Sequence, residues 1–413
     1  MAAHIAFVAP FALPSTLRFL RAAIELEGTR VGVVGQESSE QFAGRLDAWT
    51  QGHVEGYEAV ADCHDADALT SAVRRLAQRD LDGRVDALVG ILEPLQVPLA
   101  LAREQLGIRG MDAAEARRFR DKAHMKDVLR AHELPCARFC LASSPHEALG
   151  FAAEVLPLVA KPPAGAGAKD TFRVDRIDEL ESWLRRVPPT PERPLLLEEF
   201  VQGDEFSFDS VSVAGSHVFH SISEYAPTPL QVMENDWIQW TVLLPRDVSG
   251  DEFSPIRDAG PRALDALGMV SGMTHMEWFR RSDDTIAISE VAARPPGAQF
   301  TTLMSYAHDR DFYRAWAEVA IFDRFDPPER PYAAGAAYLR GQGTGRVARV
   351  HGIDRAREEL GDLVVEAKLP RVGQPKASSY EGEGYVILRD PDTDRVREGL
   401  QRVVRTLQVE LSV

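Results

Sequence analysis

The sequence predicts a mixed fold, with a parallel α/β part over residues 1–115, an α+β part over residues 116–325 and a small α+β part over residues 326–413. In the first part, continuous apolar runs alternate with helical patterns, which is typical of a parallel sheet covered on both faces. The second part shows the period-two alternation of antiparallel strands. The third part has short strands before a terminal helix.

The elements of the first part follow from these runs. Strands and helices are predicted in alternation at residues 4–9, 15–27, 31–35, 66–79 and 85–92. Ligands of open α/β sheets bind beyond the carboxyl ends of the strands, and Glu93 directly follows the last of these runs. Two interpretations stay open: Glu93 either starts a helix or contacts a substrate.

Further helices and turns are predicted in the rest of the chain. Helices are expected at residues 113–133 (as a pair), 177–186, 252–267 and 392–406. The glycine-rich segment 341–345 lies between two predicted strands, so it is interpreted as a hairpin turn.

Charge and composition exclude several classes of function. The chain has 47 Lys and Arg against 63 Asp and Glu, which gives a net charge of −16. A surface this acidic repels nucleic-acid phosphates and anionic lipids, so we expect neither partner. The apolar runs are too short to cross a bilayer. Three cysteines cannot form a disulfide framework, which fits a protein of the reducing cytoplasm.

A lysine and glycines form the first candidate site. Lys161 ends an apolar run and is followed by Gly165 and Gly167. Glycines let backbone N–H groups approach phosphate oxygens, and the lysine adds positive charge. The segment matches neither the GxxxxGK[ST] nor the GxGxxG pattern, so an ordinary turn is the alternative.

An apolar strand that ends in carboxylates forms the second candidate. The run LLLEEFV at residues 195–201 contains Glu198, Glu199 and Val201, and it can line a slot for adenine. Glu205, four residues further on, can accept hydrogen bonds from ribose hydroxyls. The alternative is a connecting strand whose carboxylates are solvated.

A carboxylate pair forms the third candidate. Glu277 and Glu290 lie on adjacent predicted strands joined by a short turn, so strand pairing can place both on one face. Two facing carboxylates repel unless a cation lies between them, and Mg²⁺ accepts such sparse sites. Arg294 follows and can stabilise a transferring phosphoryl group. An ordinary exposed hairpin is the alternative.

The order of these elements resembles the ATP-grasp superfamily, which includes biotin carboxylase, D-alanine–D-alanine ligase and L-amino-acid ligases. The resemblance implies a preATP-grasp domain over 1–115, a two-lobed ATP-grasp domain over 116–325 and a C-terminal domain over 326–413. The segment RFRDKAHMKDVL is similar to the family's first lysine helix, which implies that Lys122 contacts phosphate beside Lys161.

The remaining roles are also implied by the resemblance. In LEEFVQGDEFS, Glu198 and the backbone of Glu199 and Val201 would meet adenine, and Glu205 would meet the ribose. The segments HMEWF and ISEVAARPPG are similar to the family's magnesium motif. The implied metal ligands are Glu277 and Glu290, and the implied catalytic residue is Arg294. ATP and Mg²⁺, with Mn²⁺ as an alternative metal, are the expected cofactors.

One position departs from the family pattern. The family usually has Asn between the second metal carboxylate and the arginine, and here Ala292 offers no oxygen to a metal. A third phosphate-binding lysine is also not recognised in residues 215–245, where Tyr225, Trp237 and Trp240 form either a substrate pocket or ordinary core.

The predicted function is ATP-dependent ligation of a small carboxylate to a small amine through an acyl phosphate, with release of ADP and phosphate. A homodimer is compatible with this prediction. Two alternatives stay open: a carboxylating enzyme similar to biotin carboxylase, against which the segment PPGAQFTTLMS argues, and a nucleotide-binding regulatory protein that has lost catalysis at Ala292.

Overall fold

The first part of the chain forms a parallel sheet. The computed structural model describes residues 2–164, 171–235 and 237–412. The sheet has the strand order β3-β2-β1-β4. Its elements are β1 (Ala3–Val8), α1 (Pro14–Ile24), β2 (Thr29–Gly35), α2 (Ser39–Ala43), α3 (Ala48–His53), β3 (Val54–Ala59), α4 (Ala66–Asp80), β4 (Ala87–Val89) and α5 (Gln96–Leu106).

Alternate residues of β1 explain why both faces of this sheet are covered. Ile5 and Phe7 pack in the core that contains Phe19 of α1, whereas Ala6 and Val8 pack in the core that contains Leu76 of α4. The predicted parallel α/β arrangement is therefore confirmed. The strand β3 was not predicted, because VEGYEA is polar and only partly buried at the sheet edge.

The next part contains a small antiparallel sheet with the order β5-β8-β6-β7. Its elements and the helices beside it are α6 (Ala113–Arg120), α7 (Lys122–Ala131), β5 (Phe139–Ala142), α8 (Pro145–Glu154), β6 (Leu158–Lys161), β7 (Phe172–Val174), α9 (Ile177–Arg186) and β8 (Leu195–Glu199). The predicted glycines Gly165 and Gly167 lie outside the described residues. The apolar sides of α8 and α9 pack on this sheet through Ala148, Ala152 and Leu180.

A large sheet follows, with the order β13-β12-β9-β10-β11-β14-β17-β16. Its elements up to residue 322 are β9 (Asp204–Val213), β10 (Ser216–Ala226), α10 (Pro229–Glu234), β11 (Thr241–Leu244), α11 (Ser254–Leu267), β12 (Gly272–Arg280), β13 (Ile286–Ala292), α12 (Phe300–His308) and α13 (Phe312–Phe322). The helices α12 and α13 were not predicted. Their sequence is apolar on nearly every side, and Trp316 packs edge-on against Phe7 of the first part.

The C-terminal part continues the large sheet. Its elements are β14 (Ala333–Leu339), β15 (Arg346–His351), α14 (Ile353–Leu360), β16 (Val364–Lys368), β17 (Gly384–Asp390), α15 (Thr393–Thr406) and β18 (Gln408–Ser412). Because β14 pairs with β11, the last predicted domain shares a sheet with the middle one, and the proposed boundary at 325/326 stays a prediction.

The hairpin predicted at residues 341–345 is wrong. The strand β14 pairs with β11 and β17, whereas β15 pairs with β18, so the glycine-rich segment connects strands of different sheets. No helix in the described part of the chain is both long and apolar enough to span a bilayer.

Two glycines allow a matched test of the backbone at the hinge between the sheets. A Cβ added at Gly203, between β8 and β9, would overlap the carbonyl oxygen of Arg280, whereas one added at Gly150 in α8 meets nothing within 4 Å. We expect Gly203→Ala to lower the free energy of unfolding by at least about 1 kcal/mol. Gly150→Ala should raise it by about 0.5–1 kcal/mol, because Ala favours the helix. Urea unfolding of both variants checks this, and equal effects would contradict the close approach at Gly203.

Candidate functional site

A cleft lies between the small sheet and the large sheet. It encloses a cavity of about 390 Å³. Its walls contain predicted site residues from five different segments of the chain: Lys122, Lys161, Glu198, Glu199, Val201, Glu205, Glu277, Glu290 and Arg294. The sequence predicts these residues from three separate patterns and, for Lys122, from the family resemblance, and the fold brings them together around one space.

The pairing of β12 with β13 determines the relative position of Glu277 and Glu290. Glu277 lies directly opposite Glu290 in the antiparallel register. The next pair is Trp278 with Ile288, so Ser289 is an extra residue and forms a β-bulge beside the site. The Nζ of Lys126 donates a 2.9 Å hydrogen bond to the carbonyl oxygen of Ser289. This fully buried lysine therefore satisfies a carbonyl group within the bulge.

Glu290 is neutralised by lysines from two elements. Lys122 is the first residue of α7, and its Nζ lies 2.8 Å from Oε1 of Glu290. Its backbone N–H also donates to the carbonyl of Pro163, which ties α7 to the segment after β6. Burial works to raise the pKa of Glu290, but the charges of Lys122 and Lys161 outweigh burial and hold this pKa well below its usual range. Glu290 is therefore ionised at neutral pH.

Glu198 joins two other lysines. Its carboxylate lies 3.0 Å from Lys161 and 3.5 Å from Lys126, and the side chain is almost completely buried. Burial acts to raise the pKa of Glu198, but the charges of Lys126 and Lys161 lower it by a larger amount. The pKa of Glu198 therefore lies below its usual value. The side chain of Glu198 thus fixes Lys161, while the backbone of Glu199 and Val201 runs along the cavity wall where we predicted adenine. The carboxylate of Glu199 pairs with Arg281 at 2.6 Å.

Glu205 and Glu277 lie close to each other in the cleft. Burial, assisted by the charge of Glu277, raises the pKa of Glu205 well above its usual value, so protonation of this carboxyl is favoured. Within the described residues, the side chain of Glu205 makes no hydrogen bond or ion pair, whereas its backbone pairs with β12. Glu277 lies 3.6 Å from His275, whose other ring nitrogen contacts Asp209 at 2.5 Å. Burial lowers the pKa of His275, but Asp209 and Glu277 raise it to about 10, so the imidazole is protonated at neutral pH.

Arg294 meets Glu93 from the first part of the chain. Glu93 accepts hydrogen bonds from Arg294 at 3.0 Å and from Arg120 at 3.0 Å. It also starts a 3-10 helix after β4. The helix-start interpretation of Glu93 is therefore confirmed. A substrate contact stays a prediction, which the position of Glu93 in the cleft wall allows. The carboxylate holds two guanidinium groups at the edge of the cavity.

Aromatic rings close the end of the cleft beside Arg294. Tyr225 and Trp240 line it and are buried, whereas Trp237 is 65 % exposed and does not line it. Both interpretations, substrate pocket and ordinary core, are therefore wrong for Trp237. Phe300 and Tyr380 complete this wall, with Trp240 at 4.7 Å from Tyr380 between ring centres.

The residues fit a magnesium ion that is shared with a nucleotide. The described part of the chain contains no group of three or more His, Cys, Asp or Glu side chains arranged to hold a metal alone. Two facing carboxylates suit Mg²⁺, which takes its remaining ligands from water and phosphate oxygens. Ala292 is buried, pairs with His275 and supplies no side-chain oxygen.

Several residues in the cleft wall or directly behind it were not predicted from the sequence. His275, Phe300 and Tyr380 line the cleft. Arg120, Lys126 and Asp209 contact lining residues from behind. One signal was available: His275 and Glu277 are two residues apart on a strand and so share a face. The others come from distant segments and carry no local pattern.

Comparison with known proteins agrees with this geometry. Residues 127–308 match the model of the ATP-grasp domain. Over 247 residues the chain is 24% identical to the L-arginine-specific L-amino acid ligase of Bacillus subtilis, an alignment that covers 58% of this chain and 59% of that protein. The chain thus spans less than two thirds of the length of this curated relative.

Solved structures show the same fold along the whole chain. The L-amino acid ligase from Bacillus licheniformis superposes with a TM-score of 0.76 at 19% identity, covering 100% of this chain and 99% of that one. The carboxyaminoimidazole ribonucleotide synthase of Aspergillus clavatus, complexed with ATP, gives 0.72 at 18% identity and covers 98% of both chains. Residues 127–308 thus match the ATP-grasp domain, and the chain as a whole shares the fold of these solved structures. The predicted fold class and the predicted family resemblance are confirmed.

The raised pKa of Glu205 predicts how the stability of the protein depends on pH. In an unfolded chain a Glu carboxyl has a pKa of about 4.3. In the folded protein the pKa of Glu205 is raised, so ionisation of this carboxyl opposes folding. The stability of the wild-type protein therefore falls as the pH rises from the unfolded pKa towards the folded pKa. Glu205→Gln should therefore raise the melting temperature of the ligand-free protein more at pH 8 than at pH 5. A Tm difference between variant and wild type that is constant from pH 5 to 8 would contradict this account.

Proposed function

We propose that the protein is an ATP-dependent carboxylate–amine ligase that works through an acyl phosphate and releases ADP and phosphate. The observation that carries this proposal is the pair Glu277 and Glu290, which face each other next to Lys122 and Lys161 inside an ATP-grasp domain. The relatives named as L-amino acid ligases support the same reaction class.

Different groups of the cleft would bind different parts of ATP. Lys122 and Lys161 would hold phosphate oxygens, and the backbone near Glu199 and Val201 would meet the adenine edge. Glu277 and Glu290 would hold Mg²⁺, which when bound neutralises phosphate charge and favours transfer of the terminal phosphoryl group. Glu198 keeps Lys161 in position.

The chemistry needs positioning and charge rather than a nucleophilic side chain. A substrate carboxylate oxygen attacks the terminal phosphorus of ATP, the bond to the bridging oxygen breaks, and ADP leaves. The amine then attacks the carbonyl carbon of the acyl phosphate, phosphate leaves with the bonding pair, and the amine loses a proton. Arg294 would stabilise the negative charge that develops on the transferring group and on the tetrahedral carbon.

The chemistry of the cleft end supports an amino acid as the acid substrate. Glu93 and Arg294 present opposite charges at this edge, which suits a group that carries both an ammonium and a carboxylate. The aromatic wall of Tyr225, Trp240 and Phe300 suits an apolar side chain. A second amino acid would supply the amine.

Trapping of the intermediate tests the reaction class. With ATP, Mg²⁺, the correct acid and hydroxylamine, a hydroxamate should accumulate in a 1:1 ratio with ADP. A matrix of amino acids in pairs identifies the acid and the amine, and a parallel reaction with bicarbonate tests the carboxylating alternative. Formation of AMP and pyrophosphate would show adenylation instead and would contradict the proposal.

The alanine at position 292 gives a second prediction. The carboxylates supply the charge that binds Mg²⁺, whereas the family's asparagine supplies only a neutral oxygen that water can replace. We expect Glu290→Gln to abolish ADP release, and Ala292→Asn to leave kcat within about tenfold, or 1.4 kcal/mol in barrier. If wild type releases no ADP with any pair and Ala292→Asn does, the protein is a regulatory nucleotide binder in its natural form.

A further inference from the structure

A second cavity lies behind the loop that carries Arg294. It has a volume of about 490 Å³ and is enclosed by the end of β4, the α5–α6 connection, the start of β12 and the helix α13. Arg294 and Pro295 line this cavity from one side, and Arg294 lines the ATP cleft from the other. The two spaces are therefore separated by a single loop.

Arg103 on α5 has a chemical environment that differs from that of the other arginines in this cavity. Arg109 pairs with Asp323, and Arg294 pairs with Glu93. Arg103 donates to the carbonyl of Leu88 at 2.9 Å and, at the limit of hydrogen bonding, to that of Met111 at 3.5 Å. Among the described residues no carboxylate lies within ion-pairing distance of it.

The guanidinium of Arg103 therefore has unused capacity. It carries five N–H donors, of which two are engaged, and its Nη2 has no acceptor in the described structure. Burial lowers the pKa of Arg103 to about 10, so the group is still charged at neutral pH. A buried positive charge without a counter-charge is costly, and an anion in the cavity would offset this cost.

The carboxylates near the cavity are already engaged and restrict the charge of a ligand. Asp112 caps the helix α6 by accepting from the N–H of Glu115, and Glu115 accepts in return from the N–H of Asp112. Asp323 holds Arg109. These three negative charges at the wall disfavour a doubly charged phosphate and leave a singly charged carboxylate as the better match.

Most of the remaining wall is apolar, and Gln96 and Ser271 are the other polar side chains among the described residues that line it. The apolar part is formed by Leu88, Met111, Met269, Met273, Trp316 and Val319, most of them almost fully buried. Methionine side chains adapt to irregular apolar ligands, and a cavity of this volume lies in the range of small-molecule sites. We propose that this cavity binds a small carboxylate with an apolar tail, held by Arg103 at its charged end.

Calorimetry with hexanoate tests the site on the full chain, with the ATP cleft filled by Mg²⁺ and a non-hydrolysable ATP analogue. Hexanoate should bind with a dissociation constant of about 1 mM or lower. Hexanamide, which has the same tail without the charge, should bind at least tenfold more weakly, and inorganic phosphate should not compete. No detectable heat with hexanoate, or competition by phosphate at equal concentration, would overturn the proposal.

Three variants locate the bound probe. Arg103→Met should weaken hexanoate at least tenfold and leave hexanamide unchanged, whereas a merely structural role would affect both probes or neither. Ala320→Phe fills the cavity from its wall without touching Arg103 and should remove binding of both. Gly297→Phe narrows the ATP cleft, where an added Cβ meets nothing within 4 Å, and should leave hexanoate binding intact.

If Gly297→Phe is the only one of the three variants that loses hexanoate binding, the probe binds in the ATP cleft and the proposed site is wrong. Circular dichroism verifies that each variant is folded, and binding of the ATP analogue adds a second control for Arg103→Met and Ala320→Phe, which lie outside the ATP cleft. The proposal does not depend on the ligase reaction, because a protein that forms no amide can still bind hexanoate at Arg103. Failure of the proposed reaction and failure of the proposed site are therefore distinguishable.

Discussion

The charge balance of the cleft is the constraint on which the site depends. Glu198 and Glu290 are ionised although they are buried, because Lys122, Lys126 and Lys161 surround them. Isolated charges at such positions would be expensive, and the ion pairs make them tolerable. The same groups are those that we propose as ligands of ATP and Mg²⁺. The ligand-free protein thus holds its lysines on its own carboxylates, and we infer that a nucleotide with its metal replaces both sets of partners.

Strand pairing fixes the positions of the charged groups in the cleft. The register of β12 and β13 places Glu277 opposite Glu290, and the bulge at Ser289 is fixed by a lysine of α7. The fold therefore connects the helix that carries Lys122 to the strand that carries Glu290 through both a side-chain ion pair and a backbone contact. Removing Lys126 would disturb both the bulge next to Glu290 and the position of Glu198, because its Nζ contacts the carbonyl oxygen of Ser289 and the carboxylate of Glu198.

The sequence predicts the parallel sheet and the two facing carboxylates well, because both depend on local patterns. Apolar runs and period-two alternation are visible in single segments, and Glu277 and Glu290 are separated by one turn. The helices α12 and α13 are largely apolar, with the charged residues of α13 confined to Arg314 and Glu318, so their period is weak. The partner of β15 is β18 near the C-terminus. Such contacts between distant segments leave no local signal. For the same reason the Glu93–Arg294 pair required the structure.

The most direct test of the central claim measures ATP affinity with and without Mg²⁺ in wild type and in Glu277→Gln. If the facing carboxylates hold a metal shared with the nucleotide, Mg²⁺ should strengthen ATP binding by at least tenfold in wild type, about 1.4 kcal/mol. Removing one carboxylate charge should abolish most of that gain while the metal-free affinity stays equal or rises, because repulsion with the phosphates is smaller. Calorimetry in which Mg²⁺ leaves wild-type affinity unchanged, or strengthens both proteins equally, would contradict the account.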